Sequence, residues 1–186
     1  MTAPYRNRIK AGNRRTGFTL VELMVVLSIA AILLGIGLPS FRSLINSQRI
    51  TIAANDLLAS IHLTRSEAIK RGARVDLVPA GGSDDWAKGW VVFIDDNENR
   101  KPDQDEQIVF SHDALPDGMT IDADFTDPSP AYLAYNAAGR TRINASDHTP
   151  QLGSFSFTLD GHMRHIKINL LGRPRICNPA THSTSC

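Results

Sequence analysis

Gly172-Arg173-Pro174-Arg175 sets two guanidinium groups two residues apart. In an extended segment that spacing turns both to the same side. Pro174 fixes its own φ and biases Arg173 toward extended conformations. Two charged forks on one side match successive phosphates, and Lys167 and Arg164 lie close enough in sequence to extend the patch. The same arginines could instead pair with acids of this chain or of a neighbour, and composition leaves the two uses level. A second copy of the pattern, Gly139-Arg140-Thr141-Arg142, is either a turn or an addition to the patch.

A cluster of oxygen ligands lies in the middle of the chain. Asp95, Asn97, Asn99, Asp103 and Glu106 fall at positions 1, 3, 5, 9 and 12 of a calcium-loop pattern. The sequence departs at position 6, where Arg100 stands in place of the glycine that makes the sharp turn. Pro102 restricts the backbone further, and no flanking helices are expected. The preferred reading is a solvated hairpin loop whose acids keep a sheet edge soluble.

Cys177 and Cys186 are the only cysteines. A pair this close, behind an export signal, reads as a disulfide closing a short loop. Two free thiols, or a partial metal site with His182, are the alternatives. The six histidines are scattered, with His162 and His165 near a turn or strand. No nucleophile with a base and an orienting group stands out, and there is no phosphate loop or redox motif. Neither an enzyme nor a cofactor is expected.

The elements that position these groups follow from charge and periodicity. The net charge of +1 conceals three regions. Residues 1–17 carry Arg6, Arg8, Lys10, Arg14 and Arg15 and no acid, a charge of +5. Residues 76–127 hold fourteen acids against three bases, and residues 138–186 are net positive by 4. Phe18 to Leu38 form an apolar run of 21 residues, about 31 Å as a helix and enough to cross a bilayer core. Basic residues on one flank only place 1–17 in the cytoplasm and everything after Leu38 outside. Glu22 breaks the run, and a carboxylate in hydrocarbon points to function. Cleavage after Gly17 would create a new amine at Phe18, which a neighbouring copy's Glu22 could neutralise.

Beyond Pro39, which should kink or locally melt the helix, apolar residues recur at helical spacing: Phe41, Leu44, Ile45, Ile52, Leu57, Leu58, Ile61, Ala68 and Ile69. That stripe should pack on a sheet, with Gly72 as a stop. From Ala73 the period falls to two. Strands are expected at 74–78, 89–95, 107–110, 119–122, 132–136, 154–159 and 164–170. One long helix before many antiparallel strands makes an α+β fold.

The string Gly17-Phe18-Thr19-Leu20-Val21-Glu22 resembles the class III signal of type IV pilins and pseudopilins. Gly89-Trp90-Val91-Val92-Phe93, Leu63 to Ala68 and Leu171-Gly172-Arg173 are similar to the FimT/FimU minor pilin and general secretion pathway pseudopilin H family. Residues from about 111 to 150 match no pattern. The resemblance implies a pilin fold, with a leader (1–17), a transmembrane helix (18–38), an amphipathic helix (39–72) and a β-rich periplasmic head (73–186). It implies a prepilin peptidase that cuts after Gly17 and methylates Phe18, and a role for Glu22 in assembly. Other pilins or pseudopilins, inner-membrane lipid and double-stranded DNA are the implied partners. Gly172-Arg173-Pro174-Arg175 is similar to the C-terminal G-R-x-R of FimT-type pilins that bind DNA during natural transformation. The expected function is therefore a minor pilin that binds DNA without sequence preference, first in the inner membrane and then in a pilus. A structural pseudopilin of a type II secretion filament, which does not bind DNA, is the alternative. A calcium-binding surface module is a more distant third.

Overall fold

The structure, a computed structural model, describes residues 17–82, 84–128, 130–181 and 186, and only the backbone of 36–39. Helix α1 runs Leu20–Arg71. The chain divides into two units, one ending at Phe41 and the other comprising Arg42–Cys186.

In the first unit Thr19 starts the helix. Its hydroxyl accepts from the Glu22 amide at 3.2 Å and its carbonyl from the Leu23 amide at 3.2 Å. Thr19-x-x-Glu22 is thus a helix-start signature, with an acid in the first turn where the helix dipole favours it. Apolar side chains from Leu20 to Leu34 are exposed all round the helix. The helix is long and apolar enough to cross a membrane. Ser28 returns its hydroxyl to the Met24 carbonyl at 2.8 Å, leaving no stray donor in the apolar stretch. The helix continues through Pro39, so the local melting expected there does not occur. A single missing N–H leaves the bonds of the neighbouring turns intact.

In the second unit the rest of α1 lies on two antiparallel sheets. The strands are β1 (Val75–Pro79), β2 (Trp90–Ile94), β3 (Ile108–His112), β4 (Thr120–Phe125), β5 (Leu133–Tyr135), β6 (Thr141–Arg142), β7 (Gly153–Leu159), β8 (His162–Ile168) and β9 (Pro174–Cys177). One sheet has the order β3-β2-β1-β5-β6 and the other β4-β7-β8-β9. The fold is α+β, with a long N-terminal helix packed on antiparallel sheet as expected.

The expected helical stripe splits in two. Of its members Leu57, Ile61 and Ala68 are buried, joined by Ile50, Ala53, Ala54 and Thr64, which were not among those expected, while Phe41, Leu44, Ile52 and Ile69 are exposed. Apart from the adjacent Ala53 and Ala54, successive members of the buried set are three or four residues apart, one face of a helix. Phe41 and Ile52 lie roughly half a turn away from that face. The small side chains let the helix approach the sheets, and the Trp90 indole donates to Ser60 Oγ at 2.8 Å. Trp86, in the connection between β1 and β2, meets Phe155 of the second sheet edge to face at 4.7 Å, and Phe125 meets the same ring from the neighbouring strand at 4.9 Å. On the far side of the first sheet, Val78, Val91, Phe93, Tyr132 and Ala134 form a second, smaller core. β2 is therefore apolar on both faces and reads as a continuous run rather than an alternation, and β1 does so apart from Asp76.

Two short strands, β6 and β9, were not among those expected. β9 matters most, because it makes the extended segment that carries Arg175 a paired strand.

Candidate functional site

β8 and β9 form a hairpin whose register sets Lys167 opposite Arg175 and Ile168 opposite Pro174. Ile166 and Ile168 face the core, so Lys167 between them points outward, as does its partner Arg175. Lys167, Arg173 and Arg175 are all exposed. Arg173 shares the parity of Arg175 and sits at the mouth of the hairpin, where its carbonyl accepts from the Asn169 amide at 3.2 Å. Three of the four expected basic residues therefore share one surface. Arg164 does not. It has the parity of Ile166, and its guanidinium donates to the Met163 carbonyl at 2.8 Å.

Like charges directly opposite each other on paired strands repel. Lys167 and Arg175 occupy such a pair of positions, so positive charge is concentrated on this edge of the sheet. The next outward residue along β8, His165, has its pKa lowered by burial and by the charge of Lys167, and its ring meets Ser156 Oγ at 3.0 Å. Across the same face, β4 carries Asp122 and Asp124, with Asp124 in the row that continues through Ser154 to Lys167 and Arg175. The outer face runs from acid at the β4 edge to base at the β9 edge.

What holds this segment is Gly172. Its carbonyl accepts from the Tyr135 hydroxyl at 2.7 Å and from Arg65 at 3.4 Å. Its φ is +67°, and a Cβ there would lie 3.0 Å from the Thr141 amide nitrogen. Only glycine fits without strain. Below β9, Cys177 is bonded to Cys186, so the tail returns to the hairpin as the sequence suggested.

The second G-R-x-R copy divides. Arg140 is exposed, whereas Arg142 is buried and forms a two-pronged bond to Glu98 at 2.9 and 3.0 Å. Asp147 approaches the same guanidinium at 3.4 Å. Arg142 is therefore not a surface cation.

The acidic loop is organised around an arginine that lies outside the calcium pattern. Arg74 grips Asp76 through Nε and Nη2 at 2.7 and 2.6 Å, and its Nη2 lies 3.1 Å from Asp95. All three side chains are buried. Asp95 also accepts from the Asn99 and Arg100 amides at 3.1 and 3.0 Å. Asp103 receives the side-chain amides of Asn97 and Asn99 at 2.8 and 2.6 Å. Glu106 receives the Asp96 and Asp103 amides at 3.0 and 3.1 Å. Each of the five calcium-pattern residues is thus engaged inside the protein, with Arg74 supplying the positive charge at position 1. Among the described residues no group of three or more His, Cys, Asp or Glu side chains could hold a metal. The geometric objection at position 6 takes a different form, since Arg100 itself adopts φ of 64°. The signal available in the sequence was Arg74-Val75-Asp76, a base and an acid on one side of a strand that is otherwise apolar.

Burial pushes the Asp76 carboxyl up to about 7, against the pull of Arg74 and with the repulsion of Asp95 added. Two carboxylates share one guanidinium in a site closed to water, so the acid that is most buried holds its proton longest. Glu98 moves the other way, below the usual carboxylate range, because Arg142 binds its charged form.

These are the features of a pilin-type head on an apolar N-terminal helix, and comparison with known proteins agrees. A family model described as type II transport protein GspH matches residues 53–172, and a prokaryotic N-terminal methylation motif matches residues 12–38. The chain belongs to the GspH family, a group of pilin-like minor pilins and pseudopilins whose fold is that of structural filament subunits. The pilin-like protein PilA1 of Thermus thermophilus is 39% identical over 101 residues, covering 53% of this chain and 60% of that protein. The chain thus matches about three-fifths of that relative's length. Among solved structures, the type IV minor pilin FimU of Pseudomonas aeruginosa superposes with a TM-score of 0.57 at 18% identity, covering 72% of this chain and 91% of FimU. The minor pseudopilin EpsH from the type 2 secretion system of Vibrio cholerae gives 0.50 at 15% identity, covering 70% and 98%. At these identities the two structures speak for the fold.

Proposed function

We propose that this chain is a minor type IV pilin whose head binds double-stranded DNA through the β8–β9 hairpin. In this reading prepilin peptidase removes residues 1–17 after Gly17 and methylates Phe18. Residues 18–38 hold the chain in the inner membrane with the head in the periplasm, until Glu22 of one copy meets the new amine of another during filament assembly. The single observation that carries the DNA reading is the exposed row of Arg173, Arg175 and Lys167 on one side of the hairpin.

The mechanism is electrostatic. Removing the leader's +5 from a net +1 leaves a mature chain of −4, so attraction must come from a local patch acting against a repulsive average. Arginine and lysine on a strand edge contact phosphates and read no base, which makes binding weak and indifferent to sequence, with Kd of about 10⁻⁴ to 10⁻⁶ M at physiological salt. The test is fluorescence anisotropy of the full chain in neutral detergent with two short duplexes of unrelated sequence. Equal, salt-sensitive binding to both supports the reading, and no binding to either at low salt ends it. The family description favours a second reading, a type II secretion pseudopilin with no nucleic-acid ligand, and that negative result is the one it predicts.

A further inference from the structure

The hairpin turn that presents Arg173 exists twice. In Asn169-Leu170-Leu171-Gly172-Arg173, the Asn169 side chain accepts from the amides of Leu171 and Arg173, each at 3.0 Å. In Asn136-Ala137-Ala138-Gly139-Arg140, the Asn136 side chain accepts from the amides of Ala138 and Arg140, each at 3.1 Å. Each glycine amide bonds the carbonyl of its own asparagine at 2.8 Å, and each asparagine amide bonds the carbonyl of its own arginine. The glycines share a φ of +68° and +67°. Both are three-residue hairpin loops closed by a left-handed glycine, and Arg140 and Arg173 occupy the same place in each.

The twin turns also touch. Gly172 packs on the Thr141 backbone, and Arg65 lies under both glycines, 3.4 Å from a Cβ built on Gly139 and 3.4 Å from the Gly172 carbonyl. With consecutive Cα atoms about 3.8 Å apart, the contact holds the Arg140 and Arg173 backbones within roughly 11 Å of each other. Arg140 and Leu170, one from each turn, line a shared cleft of about 320 Å³. His148 and Asp147 also line it, and Asp147 approaches Arg142 at 3.4 Å. Duplex DNA offers a charge about every 1.7 Å along its axis, so phosphates are available across the whole span.

We infer that Arg140 is a further phosphate contact on the same DNA track, placed by a turn that duplicates the one presenting Arg173. The track then crosses from the β8–β9 hairpin of one sheet to the β5–β6 hairpin of the other. The inference rests on the DNA reading above and adds a residue from a different sheet. It makes Arg140 and Arg142 unequal: the first binds ligand and the second holds the acidic loop.

The test measures duplex binding by the full chain in neutral detergent across a salt series. The leader's charge is common to every variant and cancels in the comparison. Arg140→Gln should raise Kd by about three- to tenfold and flatten the salt slope by about one unit. Arg140→Lys should keep the slope. Arg49→Gln, an exposed helix arginine with the same charge loss, should bind as the parent does. Thermal melting shows whether each variant is folded. If Arg140→Gln binds like the parent while Arg173→Gln is weakened, Arg140 is not on the track and the DNA reading stands without it. If Arg49→Gln is weakened as much as Arg140→Gln, the effect is one of net charge and the inference is overturned. If the parent binds no DNA, both fall.

Discussion

Arg140 and Arg142 show how far two residues with the same motif position can diverge. Arg142 is buried against Glu98 and Arg140 is exposed. Arg142→Gln should lower unfolding stability by about 1–3 kcal/mol, the range for losing bonds between charged groups. Arg140→Gln should change it by less than about 0.5 kcal/mol, as surface substitutions do. Urea melts of the two variants decide this, and equal effects would mean that the Arg142–Glu98 pair contributes nothing. Glu22 belongs to the same scale. Its backbone amide donates to the Thr19 hydroxyl, a bond that any residue but proline at this position keeps, so a substitution probes the carboxylate alone. Glu22→Ala should leave membrane insertion intact, since it makes the span more apolar. It should reduce the share of the chain recovered in sheared filaments, and an unchanged share would dispense with the amine–carboxylate pairing.

The first sheet's β1 carries a buried ion cluster that responds to pH. Asp76 has a raised pKa of about 7 in the folded state, so folding favours its protonated form. The stability this gives is fully present below the carboxyl's ordinary range and is lost as pH rises toward and through about 7. Glu98 is lowered by Arg142, and its contribution is present above the ordinary range and lost as pH falls below it. The two slopes oppose each other and place the optimum between them, in mildly acid solution. Urea midpoints should be higher at pH 5.5 than at pH 8, and Asp76→Asn should remove much of that difference. A midpoint that keeps rising to pH 8 would contradict the shared-guanidinium picture. At the C-terminal hairpin, closing the short Cys177–Cys186 loop should stabilise the tail by about 2–3 kcal/mol in the chain-entropy model. Non-reducing peptide mapping should recover the two cysteines linked, and their recovery as free thiols would refute the bond.

At the scale of the whole molecule, periodicity was enough to read one long helix followed by antiparallel strands. Charge and the span length were enough to separate an apolar N-terminal segment from a head. Two kinds of information were not legible. The buried face of α1 could not be told from its other apolar residues, because Ile52 and Ile69 look the same in sequence as Ile50 and Ile61 and only packing on the sheets distinguishes them. Partner choice was equally hidden. Arg74 sits before a strand like any boundary arginine, and nothing local announces that it reaches Asp95 twenty-one residues on. Arg175 was legible as an exposed base but not as the cross-strand neighbour of Lys167, since the four-residue β9 has too few residues to show a period. These tertiary pairings turn a short, common motif into a charged edge.

The central claim, that this edge is a DNA-binding surface, is tested most directly by one substitution pair. Arg173→Gln with Arg175→Gln should leave the fold intact, because both side chains are exposed and the turn is held by Asn169 and Gly172. Duplex binding by this variant in the full chain, measured by anisotropy at low salt against the parent, should be nearly abolished. Any residual binding should have a salt slope flatter by about two units, one for each lost phosphate contact. Binding equal to the parent's in both affinity and slope would contradict the account and leave the chain as a structural filament subunit.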